Sequence, residues 1–330
     1  MALRYSGDHE HVTPELHVVE VDDDMKEWLE RWGRDQAAVC NLPLDLYGKF
    51  NVKRGLRNED GSGVLVGLTS ISSVVGYTIT DNEFQPLEGQ LRYRGIDIVE
   101  LCDGLRTEGR HGYEEVAHLL LLGKLPNERE MGEFKELLVA RRPLPDGFFD
   151  HKILAFPTPD LMNGLGRAML SLYALDPKPD GISFKKVLRQ SVELIAKFPT
   201  IIAAAYHVRE HAFGGKPLHR PEPAGPELSH AENFLQMLRI DGKYTKLEAD
   251  ILDLALVLHA EHGGGNNSTF TTHVVTSTGS DTYSTMAAAI ASLKGPKHGG
   301  ANASVAAMMG DIKSHVKDWA DDDEVYAYLK

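Results

Sequence analysis

The sequence is poor in the features that mark secreted, disulfide-bonded and membrane-spanning proteins. Its 330 residues include two cysteines, Cys40 and Cys102, which are too few for a disulfide framework and do not form a CxxC pair. No apolar run approaches the roughly 20 residues that cross a bilayer, and the first residues, MALRYSGDHEHVTPE, contain no apolar signal core. These absences predict a cytoplasmic protein in a reducing compartment, with no membrane partner.

Positive charge is in the minority. The chain has 35 Lys and Arg residues against 48 Asp and Glu residues, which leaves a net charge of −13. This balance disfavours nonspecific binding to nucleic acid or anionic lipid, so no nucleic-acid partner is expected. Small anionic ligands remain compatible with it, because a few arginines or a helix N-terminus can reverse the potential locally.

Several catalytic motifs are also absent. There is no GxxxxGK[ST] and no GxSxG, and the glycines from Gly61 to Gly67 follow GxGxxxG spacing rather than a dinucleotide fingerprint. The segment from His259 to His262 reads HxEH, whereas zinc binding by two histidines on a helix requires HExxH. The sequence therefore favours neither a metal site nor a nucleotide or serine-hydrolase site.

The hydrophobic pattern predicts a mainly α protein with a small N-terminal β element. Between Gly63 and Leu91 the residues alternate and are rich in β-branched types, which is typical of short strands or hairpins. Elsewhere apolar residues recur at helical spacing, and Asn127 and Ser183 are suited to cap two of the helices. After Gly295 the chain continues as a charged segment without a clear helix stop signal. Helices are expected at 22–37, from 113 onward, and at 161–175, 183–197, 200–211, 228–238, 245–259 and 281–293.

Two histidines stand out because each follows an apolar helix and lies among glycines: His262 in LHAEHGGGNNS and His298 in LKGPKHGGAN. Glycines let a ligand approach the backbone closely, although glycine-rich helix ends without a function are equally common. Beyond His262, Asn266, Asn267 and Ser268 offer donors for a carboxylate or carbonyl oxygen. Alternatively they cap the next helix, and the two roles are compatible. His298 is placed to donate a hydrogen bond to a developing oxyanion, as enolate chemistry requires.

Four segments in matching order and spacing resemble the citrate synthase family, of the si type: LEGQLRYRGIDIVEL, YEEVAHLLLLGKLPNEREMGEF, HAEHGGGNNSTFTTH and ASLKGPKHGGAN. The similarity runs from about Gly63 to Asn302. It implies a citrate synthase-like fold in which residues 1–300 form most of a large helical domain, with β hairpins at about 63–91. Residues 301–330 would begin a small domain that is incomplete. The resemblance also implies a homodimer with each active site in the cleft between the domains.

The resemblance implies a transferase of the tricarboxylic acid cycle. It would condense acetyl-CoA with oxaloacetate and water to citrate and CoA through an enol or enolate, with acetyl-CoA as co-substrate and no metal or bound cofactor. By the same resemblance, His262 hydrogen-bonds oxaloacetate, and Asn266 and Ser268 are neighbours in the oxaloacetate-side pocket. His298 would hydrogen-bond the thioester oxygen and act in catalysis. Many relatives carry an acidic residue where Gly263 stands, so the fine position of His262 is less defined than its identity.

Other groups of the family's site are not found after His298. The sequence shows no GxGH-type motif followed by an arginine, and neither the catalytic aspartate nor the arginines that bind oxaloacetate can be assigned. We therefore expect this chain to be C-terminally truncated and inactive by itself, since His298 alone cannot both remove a proton and stabilise the oxyanion. Two alternatives stay open: a 2-methylcitrate synthase that uses propionyl-CoA, and a non-catalytic, dimerising helical fragment.

Overall fold

The computed structural model describes residues 45–49, 56–58, 62–64, 69–80 and 83–330. The helix expected at 22–37, and Cys40, lie outside these residues. The described part of the chain is mainly α with one small sheet, as the periodicity predicts. Its elements are α1 (Asp45–Lys49), β1 (Ser72–Thr80), β2 (Glu83–Tyr93), β3 (Ile96–Asp97), α2 (Ile98–Glu108), α3 (Tyr113–Leu122), α4 (Glu128–Val139), the π-helical segment π1 (Phe149–Leu154), α5 (Leu161–Tyr173), α6 (Phe184–Gly214), α7 (His230–Leu238), α8 (Lys246–Leu258), α9 (Asn267–Ser277), α10 (Thr282–Lys294), α11 (Gly300–His315) and α12 (Asp322–Leu329).

The sheet is the β element predicted for the N-terminal part, and its first strand among the described residues begins at Ser72. β1 and β2 pair antiparallel, with Ser72 opposite Tyr93 at the base and Thr80 opposite Glu83 at the tip. Gly63, where the strands were expected to start, forms an isolated bridge instead. Every residue from 83 to 90 is exposed, so the helices cover the hairpin only near its base.

The base of the hairpin is fixed to the helices by its turn into β3. Arg94 and Gly95 connect the two strands with φ angles of 49° and 89°, as a two-residue type I′ turn requires. Arg94 is a non-glycine residue in this region, and its Nη2 donates a hydrogen bond of 2.6 Å to the carbonyl oxygen of Leu120 in α3. The turn is therefore anchored to a helix.

Of the three clusters of buried apolar side chains in the described residues, two hold the helices around the His262 and His298 segments. The larger joins π1, α5, α6 and α10, where small residues such as Ala168, Ala204 and Ala287 allow close helix approach. The smaller joins the end of β2 to α2, α3 and α8, and its members are Tyr93, Ile98, Leu101, Leu105, Val116, Leu119 and Val257. This second cluster fixes the C-terminal end of α8, from which the His262 segment starts.

The prediction of separate helices at 183–197 and 200–211 is wrong. α6 is one helix of 31 residues that contains Pro199. Proline removes one amide donor and crowds the preceding turn. However, Ala196 is 0% exposed and Ile201 is 1% exposed, so both sides of the proline pack into the interior and stay in line. Ser183 occupies the N-cap position without a side-chain hydrogen bond to the helix, whereas the predicted cap at Asn127 is complete and accepts from the Glu130 amide.

The segment after Gly295 is more regular than its sequence indicates, because it forms α11 and α12. Asp321 caps α12 by accepting hydrogen bonds from two amides of its first turn. Within residues 301–330, Ile312 and Val316 are the two buried residues. The division into domains at residue 300 stays a prediction. None of the helices in the described ranges is long and apolar enough to cross a membrane.

Candidate active site

His262 lies in the segment between α8 and α9, and the backbone of this segment is held by a carboxylate. Glu261 Oε1 accepts hydrogen bonds from the amide of His262 at 3.0 Å and from the amide of Gly263 at 2.7 Å. Gly263 has a φ of 86°, in the left-handed region that glycine adopts without strain. The carboxylate and the glycine together turn the chain so that the His262 side chain is exposed.

The His262 ring is oriented by Asn266, four residues further on. Asn266 Oδ1 accepts a hydrogen bond of 2.8 Å from the amide of Thr269, which fixes the direction of the carboxamide. Its Nδ2 then donates to His262 Nε2 at 3.1 Å. Because Nε2 accepts, the neutral imidazole carries its proton on Nδ1. That N–H is the ring donor that remains for a ligand.

Asn266 is also the N-cap of α9, as the alternative interpretation of these amides predicts. A cap residue accepts from a free amide of the first turn, which Asn266 Oδ1 does at Thr269. The same side chain therefore caps the helix with its oxygen and orients His262 with its nitrogen. Asn267, by contrast, is exposed as the first residue of the helix.

His298 lies in the turn between α10 and α11 and contacts Ser268 in the first turn of α9. The His298 amide donates to Gly295 O at 2.9 Å, which closes the turn. Ser268 Oγ lies 2.9 Å from His298 Nε2 and 3.1 Å from Ala289 O in α10. Serine has one hydroxyl hydrogen, so it donates to one of these two partners at a time. If it donates to Nε2, the His298 proton is on Nδ1 and is available to a ligand.

The first turn of α9 therefore connects all four predicted site residues. Asn266 contacts one histidine and Ser268 contacts the other, so two segments 36 positions apart in sequence meet at one helix N-terminus. The partial positive charge of that end favours an anionic group nearby. Ser268 contacts His298 rather than His262. Its role toward a substrate stays a prediction.

An apolar groove of about 420 Å³ adjoins the His298 side of this arrangement. Ser268 lines it together with apolar side chains of α6, α8 and α10, among them Phe198, Leu256 and Ile290. A hydrogen bond to developing charge is stronger next to such low-dielectric surface. Another cavity, of about 600 Å³, lies between α3, α4 and the start of α7 and is lined by neither histidine.

Sequence reasoning missed two residues that shape this site. Glu261 was considered as part of a failed zinc motif, although its carboxylate holds the backbone at His262. Tyr93, in the segment LRYRG, contacts the backbone of Glu261 across the fold. Within the described ranges, no group of three or more His, Cys, Asp or Glu side chains is placed to hold a metal ion.

Comparison with known families decides the assignment. The family model for the citrate synthase C-terminal domain matches residues 60–327. The chain belongs to the citrate synthase family. Curated citrate synthases from Heyndrickxia coagulans and Haloferax volcanii are each 36% identical to it, over 219 and 265 residues. These alignments cover 66% and 79% of this chain, and 56% and 62% of the two relatives.

Solved citrate synthases share the fold of this chain. The enzyme from Pyrobaculum aerophilum superposes with a TM-score of 0.59 at 33% identity, over 76% of this chain and 60% of the other. The enzyme from Thermoplasma acidophilum, solved as a ternary complex with carboxymethyl coenzyme A and oxaloacetate, gives a TM-score of 0.61 at 27% identity, over 80% of this chain and 61% of the other. The chain thus spans about three fifths of the length of these citrate synthases, and the citrate synthase-like, mainly α fold is confirmed.

Proposed function

We propose that this chain supplies the histidine part of an active site that condenses acetyl-CoA with oxaloacetate and water to citrate and CoA. The observation that carries the proposal is the hydrogen-bonded arrangement at the start of α9, where Asn266 orients His262 and Ser268 orients His298. The ring N–H groups of two histidines held at one helix N-terminus suit a reaction between a keto acid and a thioester. The keto acid carries negative charge, and the thioester acquires it as the enolate forms.

Each histidine has a distinct part in the proposed reaction. His262 donates from Nδ1 to oxaloacetate and holds the keto group for attack. His298 donates to the thioester oxygen of acetyl-CoA, so that the charge of the enolate is stabilised as the methyl proton leaves. The enolate carbon then bonds to the keto carbon, and hydrolysis of citryl-CoA releases citrate and CoA. No metal or bound cofactor takes part.

Proton removal needs a base that this pair does not provide. No carboxylate within residues 83–330 is hydrogen-bonded to either imidazole ring; the Glu261 carboxylate binds backbone amides instead. We propose that the 330-residue chain alone neither turns over nor binds oxaloacetate tightly. Tight binding of oxaloacetate to the isolated chain, measured by calorimetry, would contradict this part of the proposal and the view of the chain as a non-catalytic fragment.

A chimeric enzyme tests the assigned chemistry. The 265-residue stretch of the Haloferax volcanii citrate synthase that matches this chain is replaced by the corresponding residues of this chain. The chimera should release CoA thiol only when both substrates are present, and His298→Ala should lower kcat by about 10²- to 10³-fold, as loss of an oxyanion donor does. His273→Ala, at an exposed histidine of α9, is the matched control. A folded His298→Ala chimera with the full rate would reject the role of His298.

A second donor substrate is favoured by two relatives. The citrate/2-methylcitrate synthase of Bacillus subtilis is 35% identical over 231 residues, and the 2-methylcitrate synthase of Mycobacterium tuberculosis is 32% identical over 274 residues. The alternative function is therefore condensation of propionyl-CoA to 2-methylcitrate. Competition between acetyl-CoA and propionyl-CoA in the chimera gives the ratio of their kcat/KM values, and one methylene group is worth roughly 10- to 200-fold in such a ratio.

We also propose that the chain forms a homodimer. α10 packs between α5 and α9, and this layer keeps Leu170 of α5 49% exposed and Val274 of α9 48% exposed. α9 itself has no buried residue. An apolar helix layer covered on one side is the kind of surface through which two identical chains associate.

A further inference from the structure

Tyr93 joins the base of the hairpin to the segment that carries His262. Its side chain is fully buried. Its hydroxyl oxygen lies 2.9 Å from Val257 O, 3.3 Å from Leu258 O and 2.9 Å from Glu261 O, and it accepts a hydrogen bond of 3.2 Å from the Glu261 amide. One phenol group thus contacts the last turn of α8 and both backbone polar atoms of Glu261.

This hydroxyl is a partner for carbonyl groups that the helix leaves unsatisfied. The last carbonyls of a helix have no amide of the same helix to accept from, and the hydrogen of the Tyr93 hydroxyl is shared among two of them, those of Val257 and Leu258, and the Glu261 carbonyl beyond the helix. Burial raises the pKa of Tyr93, which keeps the phenol protonated and able to donate. The contact therefore fixes where α8 ends and in which direction the chain leaves it.

From Glu261 the same set of contacts reaches His262. Tyr93 holds the backbone of Glu261, and the Glu261 carboxylate accepts from the amides of His262 and Gly263. A rotation of the Glu261 backbone would therefore change the direction of the His262 side chain and its distance to Asn266. Glu261 is thus the one residue through which the Tyr93 hydroxyl acts on the His262 ring.

The other strand of the hairpin contacts the segment on the far side of His262. Val74 of β1 is paired with Leu91 of β2, and a Cβ atom added to Gly263 would lie 3.5 Å from Val74 Cγ2. The hairpin base thus contacts Glu261 through Tyr93 and approaches Gly263 through Val74. His262 lies between these two points.

We propose that Tyr93 is a positioning residue, whose hydroxyl sets the backbone at Glu261 and thereby the orientation of His262. This inference rests on the proposed function, in which His262 binds the keto acid. The ring of Tyr93 packs with Leu101, Val116 and Leu119, and phenylalanine would fill that space equally well. The core therefore requires the ring, whereas the His262 segment requires the hydroxyl.

Tyr93→Phe separates these two requirements. We expect the variant to fold with unchanged circular dichroism, while the ring ¹H–¹³C signals of His262 move toward those of an exposed, unbonded histidine. The His298 signals, which depend on Ser268, should stay in place. Tyr173→Phe is the matched control, because it removes a hydroxyl that donates to Asp180 at 3.0 Å, far from this segment in the chain. It should leave both histidines unchanged.

In the chimeric enzyme, Tyr93→Phe should raise KM for oxaloacetate about tenfold and change kcat less than about twofold. The reason is that the lost alignment of His262 affects keto-acid binding before the chemical step. A residue with only a packing role would lower stability without this split. Glu261→Ala, which releases the amides of His262 and Gly263 without touching the core, should move the His262 signals in the same way.

The outcomes distinguish the two proposals. Unchanged His262 signals in folded Tyr93→Phe, or in Glu261→Ala, would overturn the positioning role whatever the chimera does. A chimera that folds and makes no citrate would instead overturn the proposed function, and the shifts measured on the 330-residue chain would still decide the role of Tyr93.

Discussion

At the scale of single residues, His230 is a buried base in an unfavourable setting. It is 5% exposed at the start of α7, and its Nδ1 has no hydrogen-bond partner. Burial, and secondly the positive charge of Arg142, lower its pKa to about 4. In the unfolded chain a histidine ionises near its ordinary pKa of about 6.5. Between pH of about 4 and about 6.5, the unfolded chain therefore binds a proton at His230 that the folded chain does not bind.

This difference predicts a loss of stability in acid. As the pH falls from about 6.5 to about 4, the unfolded state takes up the proton first, and the free energy of unfolding decreases by about 3 kcal/mol. His230→Phe removes the titration and keeps a ring of similar size. Urea unfolding of both proteins between pH 7.5 and 4.5 should show the wild type losing stability relative to the variant.

The comparison between the two proteins isolates His230 from its neighbours. Glu114 and Asp253 have pKa values raised by burial, so they act in the opposite direction, and they are present in both proteins. A difference in unfolding free energy that stays constant across the pH range would show that His230 is not the group responsible.

Functional residues whose partners are close along the chain can be recognised from the sequence, whereas those whose partners are distant along the chain cannot. Asn266 and Ser268 lie close to His262 in the chain, and the glycines around both histidines are visible in sequence. Tyr93 lies 164 to 168 positions from the carbonyls its hydroxyl contacts. His230 has no feature in sequence that separates it from a surface histidine, because burial arises only when α3, α6 and α7 pack together.

At the scale of secondary-structure elements, the N-terminal cap of α8 is a separable contribution to stability. Thr245 Oγ1 accepts from the Glu248 amide, and the Glu248 carboxylate accepts from the Thr245 amide, which completes a capping box. We predict that Thr245→Ala lowers the free energy of unfolding by about 1 kcal/mol. Denaturant unfolding measures the loss.

Thr276→Ala serves as the control for this cap. Thr276 is exposed inside α9, and alanine there has the higher helix propensity, so the change should be neutral or slightly stabilising. Equal losses at the two positions would mean that the threonine side chain matters through something other than the cap.

Helix prediction succeeded where apolar residues recur at helical spacing and failed around Pro199. The apolar spacing located α5, α7, α8 and α10 to within a few residues at each end, and the caps at Asn127 and Asp281 follow the usual preference for short polar side chains. The helices expected at 183–197 and 200–211 leave Pro199 between them, as proline in an isolated helix would require. Its buried flanks supply tertiary packing that outweighs the local penalty, and no local pattern reports that packing.

At the scale of the whole molecule, the fold class follows from composition and period, whereas association depends on surfaces that the sequence does not delimit. The layer of α5, α10 and α9 became recognisable as a candidate interface only when its exposed apolar side chains were placed on one set of packed helices. Its proposed pairing must overcome the repulsion of two chains that each carry a net charge of −13.

That repulsion makes the homodimer sensitive to salt. We predict that raising NaCl from about 20 mM to about 500 mM tightens association, since the Debye length falls to a few ångströms while apolar contacts persist. Analytical ultracentrifugation over a dilution series measures the dissociation constant at each salt concentration.

Leu170→Glu, in α5, should weaken the dimer by at least about tenfold, because it places a charge against an apolar surface. Leu247→Glu, at a 67% exposed position of α8, should have no such effect. Equal behaviour of the two variants would place the contact on another face of the molecule.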